Sequence, residues 1–183
     1  MQFFIGILPS DNIKQEIISF QKKFKNNRVP FIAEPHITVK AQSGLNKDML
    51  WLSKVESVVK NSQLFDIKLE NVGDFNNKVI FLKPSFSEQL IKLHKELFKA
   101  IEPGDEMAKK YFENDKYAAH LTLGEGLPEN ESILMKQSAK KELLNFPTFK
   151  ISFVRIFQQD IDGGSYHKFL DIPLKIKNSK QDN

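Results

Sequence analysis

Apolar residues recur along this chain with two periods, and the switches between them divide it into short helices and strands. Phe3-Phe4-Ile5-Gly6-Ile7-Leu8-Pro9 is an apolar run of strand length, and Ser10 or Asp11 after it can cap a helix. Ile13, Ile17, Phe20 and Phe24 come next at helical spacing, so a strand and then an amphipathic helix are expected. Residues 28–35 hold two prolines and read as a loop; His36-Ile37-Thr38-Val39-Lys40 alternates polar with apolar and reads as a strand. Met49, Leu50, Leu52, Val55 and Val59 supply a buried side for a helix over 47–60. Residues 64–70 and 78–83 read as antiparallel strands joined through Gly73 and the Asn76-Asn77 turn.

The second half presents this order again. Leu90, Ile91, Leu93, Leu97, Phe98 and Ile101 predict a helix over 86–101, stopped by Pro103-Gly104. A charged loop bearing tyrosines leads into the strand Ala119-His120-Leu121-Thr122-Leu123-Gly124, and a helix over 130–144 ends before Pro147. Strands over 149–159 and 166–176 flank Asp162-Gly163-Gly164, and a polar tail begins at Lys175, with 177–183 outside the folded unit. Helices mixed with hairpins indicate an α+β fold. The expected form is bilobal: two pseudo-symmetric lobes of antiparallel sheet with flanking helices around a central cleft, intertwined into one domain over 1–183.

Composition narrows the chemistry. With 40% hydrophobic and 27% charged residues and 16 Phe, the 183-residue chain is too apolar for disorder and too charged for a membrane protein. No apolar run nears the roughly 20 residues that cross a bilayer. The N-terminal stretch lacks a basic n-region and a small-residue cleavage site, so a cytoplasmic protein is expected. The absence of Cys removes disulfides, thiolate metal sites and thiol nucleophiles. The net charge of +4 arises within residues 1–92, which carry 13 basic and 9 acidic side chains. That surplus suits an anionic ligand and suits plain solubility equally well. No GxGxxG or Walker A pattern is present.

One repetition carries chemistry. Pro35-His36-Ile37-Thr38-Val39 and Ala119-His120-Leu121-Thr122-Leu123 share the pattern His, aliphatic, Thr, aliphatic, 84 residues apart. Side chains alternate along a strand, so each motif presents an imidazole beside a hydroxyl on one face. If the halves pack about a pseudo-two-fold axis, His36, Thr38, His120 and Thr122 converge on one cleft. Such a set suits metal-independent cleavage of a phosphodiester. One imidazole takes a proton from water, the other gives one to the departing oxygen, and the Thr hydroxyls donate to the phosphate oxygens. A single H-x-T strand is ordinary sheet sequence; the pair in matching contexts makes the argument. A two-His metal site is the rival, but neither motif offers HExxH spacing or adjacent carboxylates, so no metal or cofactor is expected.

The paired motif resembles that of the 2H phosphoesterase superfamily, which contains the 2′,5′ RNA ligase-like proteins and cyclic phosphodiesterases. FFIGILP at the start and GGSYHKFLDIPL near the end are similar to that family's first strand and closing hairpin. The resemblance spans nearly the whole chain. It implies a bilobal α+β fold and metal-independent action on 2′,3′-cyclic or 2′,5′-linked phosphates of RNA ends or small nucleotides, with His36, Thr38, His120 and Thr122 as the catalytic set. Many relatives carry a basic residue just after the motifs; here Lys40 fills the first such place, and Gly124-Glu125 stands at the second. A carboxylate beside a phosphate repels it unless it turns outward.

Three further residues are candidates for substrate binding. Lys40 shares the His36 face by parity and can meet phosphate, or end its strand in solvent. Arg155 alternates with Val154 and Ile156 and so faces the cleft, or serves solubility at an edge. Tyr166 corresponds to a tyrosine often found in the family's last hairpin and can stack on a base, or pack at the core rim. Tyr111, Phe112 and Tyr117, mixed with Lys109, Lys110 and Lys116, form an aromatic-basic segment able to close over a nucleotide, against which Glu113 and Asp115 work. His94 and His167 read as surface residues. The partner expected is a nucleotide or RNA end, with no membrane and no protein partner. A non-catalytic module of the same fold that binds nucleotides or RNA ends is the alternative, and a purely structural protein with dispensable histidines is a third.

Overall fold

The opening apolar run forms β1 (Gln2–Ile7), and Asp11 begins α1 (Asp11–Gln21), whose Ile13, Ile17 and Phe20 are buried. The structure is a computed structural model that describes residues 1–176; the expected tail at 177–183 lies outside the described residues. Next along the chain come α2 (Val29–Ile32), β2 (Ile37–Lys40), α3 (Leu52–Asn61), β3 (Phe65–Ile67), β4 (Leu69–Phe75) and β5 (Val79–Pro84). The second half supplies α4 (Glu88–Ile101), α5 (Asp105–Lys110), a 3-10 turn (Asn114–Lys116), β6 (Leu121–Glu125), α6 (Glu129–Glu142), β7 (Phe149–Ile151), β8 (Phe153–Gln159) and β9 (His167–Pro173). No helix among the described residues is long and apolar enough to cross a membrane.

Seven strands form one sheet in the order β4-β5-β6-β2-β1-β8-β9, antiparallel throughout, and β3 pairs with β7 in a small second sheet. The order is symmetric about the seam between β2 and β6: β1 answers β5, and β8 answers β4. Ile37 pairs with Leu121 at that seam. Strands from the two ends of the chain make one flank and strands from its middle make the other.

Burial explains the layers. Phe3, Ile5, Ile7, Ile37, Val39, Ile80, Leu82, Leu121 and Leu123 pack with apolar side chains of α1, α3, α4 and α6 into one large core. Each such side chain contributes about 1.5–3 kcal/mol when fully buried. Phe4, Leu8 and Phe157 belong instead to a small separate cluster against Ala33, Phe153 and Tyr166. The alternation of Phe4 with Phe3 and Ile5 therefore divides β1 between the main core and the sheet's other face.

Several local expectations need correction. The helix expected over 47–60 begins at Leu52, because Met49 adopts a left-handed φ of 58° and Leu50 faces solvent; Trp51 fills that space, its Nε1–H donating to the Asn46 carbonyl at 2.8 Å. Gly73 is not in a turn. It lies within β4, where an added Cβ would stand 2.5 Å from the Phe81 ring, and Asn76-Asn77 alone makes the hairpin with φ of 52° and 56°. The strands expected over 64–70 and 149–159 each break, at Lys68 and Ser152, sending one part to the small sheet and the other to the large one. The loop over 28–35 contains α2, and the charged loop contains α5 and the 3-10 turn. Lys175 is not free tail: its N–H donates to the Ser62 carbonyl at 2.7 Å.

Candidate active site

The seam between β2 and β6 sets the geometry. With Ile37 opposite Leu121, antiparallel pairing continued one residue each way puts His36 across from Thr122 and Thr38 across from His120. The two imidazoles are then diagonal neighbours, a relation that separates Cα atoms by about 7–8 Å. Ile37 and Leu121 are fully buried, so the polar residues flanking them turn to the other face. His36, Thr38, His120 and Thr122 all line a single cleft of about 780 Å³.

Both imidazoles are held in the same way. Nδ1 of His36 lies 2.7 Å from the Glu34 carbonyl, and Nδ1 of His120 lies 2.7 Å from the Ala118 carbonyl. A carbonyl only accepts, so each Nδ1 carries its hydrogen and each Nε2 is left to the cleft. Each ring also rests on two phenylalanines: His36 on Phe4 and Phe157, with centroids 4.6 and 5.2 Å away, and His120 on Phe75 and Phe81, both at 5.2 Å. These pairs come from β1 with β8 and from β4 with β5, the strands that the pseudo-dyad exchanges. Burial holds the His36 imidazole down at about 4; the Glu34 carbonyl opposes that effect and His120 adds to it. His120 is lowered mainly by burial too, while the Ala118 carbonyl and the Glu125 carboxylate pull it back up. Both rings therefore titrate below the ordinary imidazole value.

After each motif the strand carries one extra residue. Gly6 pairs with Thr38 but Ile5 pairs with Lys40, so Val39 is a bulge; Phe81 pairs with Thr122 but Ile80 pairs with Gly124, so Leu123 is its counterpart. Each bulge inverts the parity of the residues beyond it. Lys40 therefore joins Ile5 on the core side, contrary to its expected place against phosphate. It is 0% exposed, and its Nζ donates to both Glu113 carboxylate oxygens at 2.8 and 3.1 Å, to the Ser43 hydroxyl at 2.9 Å and to the Ala41 and Ser43 carbonyls. Gly124 takes the matching inward position, where a Cβ would stand 2.5 Å from the Met135 sulfur. Ala41 and Glu125, one residue on, both line the cleft. Glu125 thus reaches the cleft's edge while staying exposed to solvent.

Arg155 also departs from expectation. It pairs with Gly6 across β1 and β8, on the cleft's side of the sheet, but it is not among the lining residues. Its guanidinium is taken up by Asp171, with two bonds of 2.7 Å, and by Glu34. Lys14 holds the other oxygen of Glu34 at 3.0 Å. Tyr166 does line the cleft, with its ring against Phe4 and its hydroxyl donating to Gln2 and accepting from Gln42. The aromatic-basic segment forms the far wall through Tyr111, Phe112, Lys116 and Tyr117. His94 is no surface residue: it shares the buried stripe of Leu90, Leu97 and Ile101, donates from Nδ1 to the Val39 carbonyl at 2.9 Å and accepts from the Asn114 N–H at 3.1 Å. Tyr117 stacks on it at 3.7 Å and donates to the Thr38 carbonyl at 2.8 Å.

Sequence reasoning passed over the four supporting phenylalanines, although Phe4 and Phe157 alternate with core residues and so announced a second apolar face. It also passed over Lys78, which lines the cleft from the β4–β5 turn. Among the described residues no group of three or more His, Asp or Glu side chains is arranged to hold a metal ion.

A family model described as the 2′-5′ RNA ligase superfamily matches residues 9–163. The chain belongs to that superfamily. Among relatives, the RNA 2′,3′-cyclic phosphodiesterase of Methanocaldococcus jannaschii is 24% identical over 169 residues, covering 88% of this chain and 92% of its own. Solved structures share the fold. A Thermus thermophilus protein superposes with a TM-score of 0.72 at 16% identity, covering 97% of this chain and all of its own. Escherichia coli LigT complexed with 3′-AMP superposes with a TM-score of 0.61 at 12% identity, over 95% of this chain and 98% of its own. The superfamily is one of 2H phosphoesterases, the group that the paired motif resembles.

Proposed function

We propose that this member of the superfamily hydrolyses 2′,3′-cyclic or 2′,5′-linked phosphodiesters at RNA ends or on small nucleotides, using His36, Thr38, His120 and Thr122. One neutral imidazole takes a proton from water at Nε2 as the water oxygen bonds to phosphorus. The phosphorus–oxygen bond to the ribose breaks, and the departing oxygen takes a proton from Nε2 of the other, protonated imidazole. The Thr38 and Thr122 hydroxyls donate to the nonbridging oxygens, where charge accumulates. A phosphomonoester and a free hydroxyl result, and proton exchange with solvent resets the pair.

The observation that carries this reading is the matched pair of Nδ1–carbonyl bonds, which leaves two Nε2 atoms for one cleft across a two-strand seam. The Methanocaldococcus jannaschii relative, named for 2′,3′-cyclic phosphodiesterase activity, supports the substrate class. Tyr166, Tyr111 and Phe112 offer ring surface for a base, and Lys78 and Lys116 offer charge.

Turnover of a 2′,3′-cyclic nucleotide in EDTA between pH 5 and 9 tests the reading. His36→Ala and His120→Ala are each expected to lower kcat about 10²–10⁴-fold while leaving the melting temperature in place. Unchanged rates in both variants would overturn it. Glu125 in the cleft, where many relatives carry a basic residue, favours the alternative of a binding module; nucleotide binding without turnover by the unaltered protein would select that alternative.

A further inference from the structure

The floor of the cleft is symmetric, but its charge is not. The bulges at Val39 and Leu123 put Ala41 and Glu125 in equivalent positions on the lining, one beside each motif. On the His36 side the nearby carboxylates are committed: Glu34 to Arg155 and Lys14, and Glu113 to Lys40. Glu125 on the His120 side is exposed at the end of β6. The other ionisable groups lining the cleft are His36 across the seam, Lys78 from the β4–β5 turn, Lys116 and the paired Glu113 from the far wall, the paired Glu34, the buried His94, and the phenols of Tyr111, Tyr117 and Tyr166. Phe75 and Phe81 cover the ring itself.

We propose that Glu125 is a positioning residue that divides the labour of the two histidines, holding the proton on His120 as donor to the departing oxygen and leaving His36 as acceptor from water. The proposal rests on the two-histidine reaction above and adds the direction in which it runs. A carboxylate at the edge of the cleft favours an imidazolium within it, and the Glu125 charge acts on His120 in that direction. On the His36 side the residue in the matching position is Ala41, and the Glu34 carboxylate, which also favours an imidazolium, is shared with Arg155 and Lys14. Two groups with the same covalent structure thereby acquire different protonation, which is how paired acids and bases are told apart.

The free protein tests this without substrate. The midpoints of His36 and His120 are read by NMR of the ring signals in the unaltered protein, in Glu125→Gln and in Glu125→Lys. His120 is expected to titrate above His36. Glu125→Gln is expected to lower the His120 midpoint by about 0.5 pH unit, the scale of one charge across a solvated cleft, and Glu125→Lys by about twice that. His36 moves less in both variants. With a 2′,3′-cyclic nucleotide, the alkaline limb of kcat/KM moves with the His120 midpoint to lower pH. A His36 midpoint above that of His120, equal displacement of the two, or none, overturns the proposal. Absence of turnover by the unaltered protein strikes the phosphodiesterase reading instead, since the titrations are measured without it.

Discussion

Lys40 and Glu113, 73 residues apart, form an ion pair in which the two side chains are 0% and 2% exposed. Glu113 also accepts from the Ala41 N–H at 2.8 Å and from the Ser43 hydroxyl. The pair therefore ties the segment that makes the far wall of the cleft to the strand carrying the first motif. His94 and Tyr117 strengthen the same joint from either side, through Asn114 and the Thr38 carbonyl.

Breaking that pair from one side strands a buried charge. Glu113→Gln and Lys40→Met are each expected to cost about 3–5 kcal/mol in urea unfolding, and the double variant Lys40→Met with Glu113→Leu to recover a large part of it. The salt dependence of substrate KM should be the same in Lys40→Met as in the unaltered protein, because Lys40 does not reach the cleft. A steep loss of salt dependence would return Lys40 to the role of phosphate contact.

Three histidines make the fold acid-sensitive. His36, His94 and His120 all titrate below the ordinary value of 6.5, in each case mainly through burial. The unfolded chain then binds protons at a pH where the folded one does not, so stability is complete above 6.5 and falls as pH drops below it. For His36 the window runs from 6.5 to about 4. Asp74 and Asp171, held below 3.8 mainly by Lys136 and against burial by Arg155 respectively, act below that window. The urea midpoint is expected to fall between pH 6.5 and 4 and to fall less in His36→Asn; a flat midpoint across that range contradicts the burial of these rings.

Gly73 connects packing to the site. A Cβ there meets Phe81 ring carbons at 2.5 and 2.7 Å, and Phe81 supports His120. Gly73→Ala is expected to cost about 1–3 kcal/mol and to reduce kcat/KM for a cyclic phosphodiester. Gly104→Ala, whose Cβ has nothing within 4 Å, is the control and should leave both quantities near their original values. Equal behaviour of the two variants would remove Phe81 from the support of the ring.

Arg155 acts one step further back. It braces Glu34, whose carbonyl orients His36, and it binds Asp171 through two parallel bonds. Arg155→Met should lower kcat on the order of 10- to 100-fold through misplacement of the ring, with KM and its salt dependence little changed. Arg155→Lys should not restore the rate, since an ammonium cannot replace the planar fork. A variant that raises KM alone would mark Arg155 as a substrate contact.

The amino-acid sequence by itself determined the elements and the duplicated motif. Period-two alternation turns His36 with Thr38, and His120 with Thr122, away from the buried Ile37 and Leu121, and Asn76-Asn77 carries the left-handed turn that joins β4 to β5. Those features are local: they depend on neighbours in the chain and on the conformations that individual residues adopt. The placement of the residues after each motif was decided only in three dimensions. No residue type marks Val39 or Leu123 as surplus; each is a bulge because its strand must match a partner distant in the chain, β1 in one case and β5 in the other. One unpaired residue inverts every side chain beyond it, so Lys40 enters the core and Glu125 the cleft. His94 is hidden for the same kind of reason, since only the packed sheet supplies the Val39 carbonyl and the Asn114 N–H that allow an imidazole to be buried.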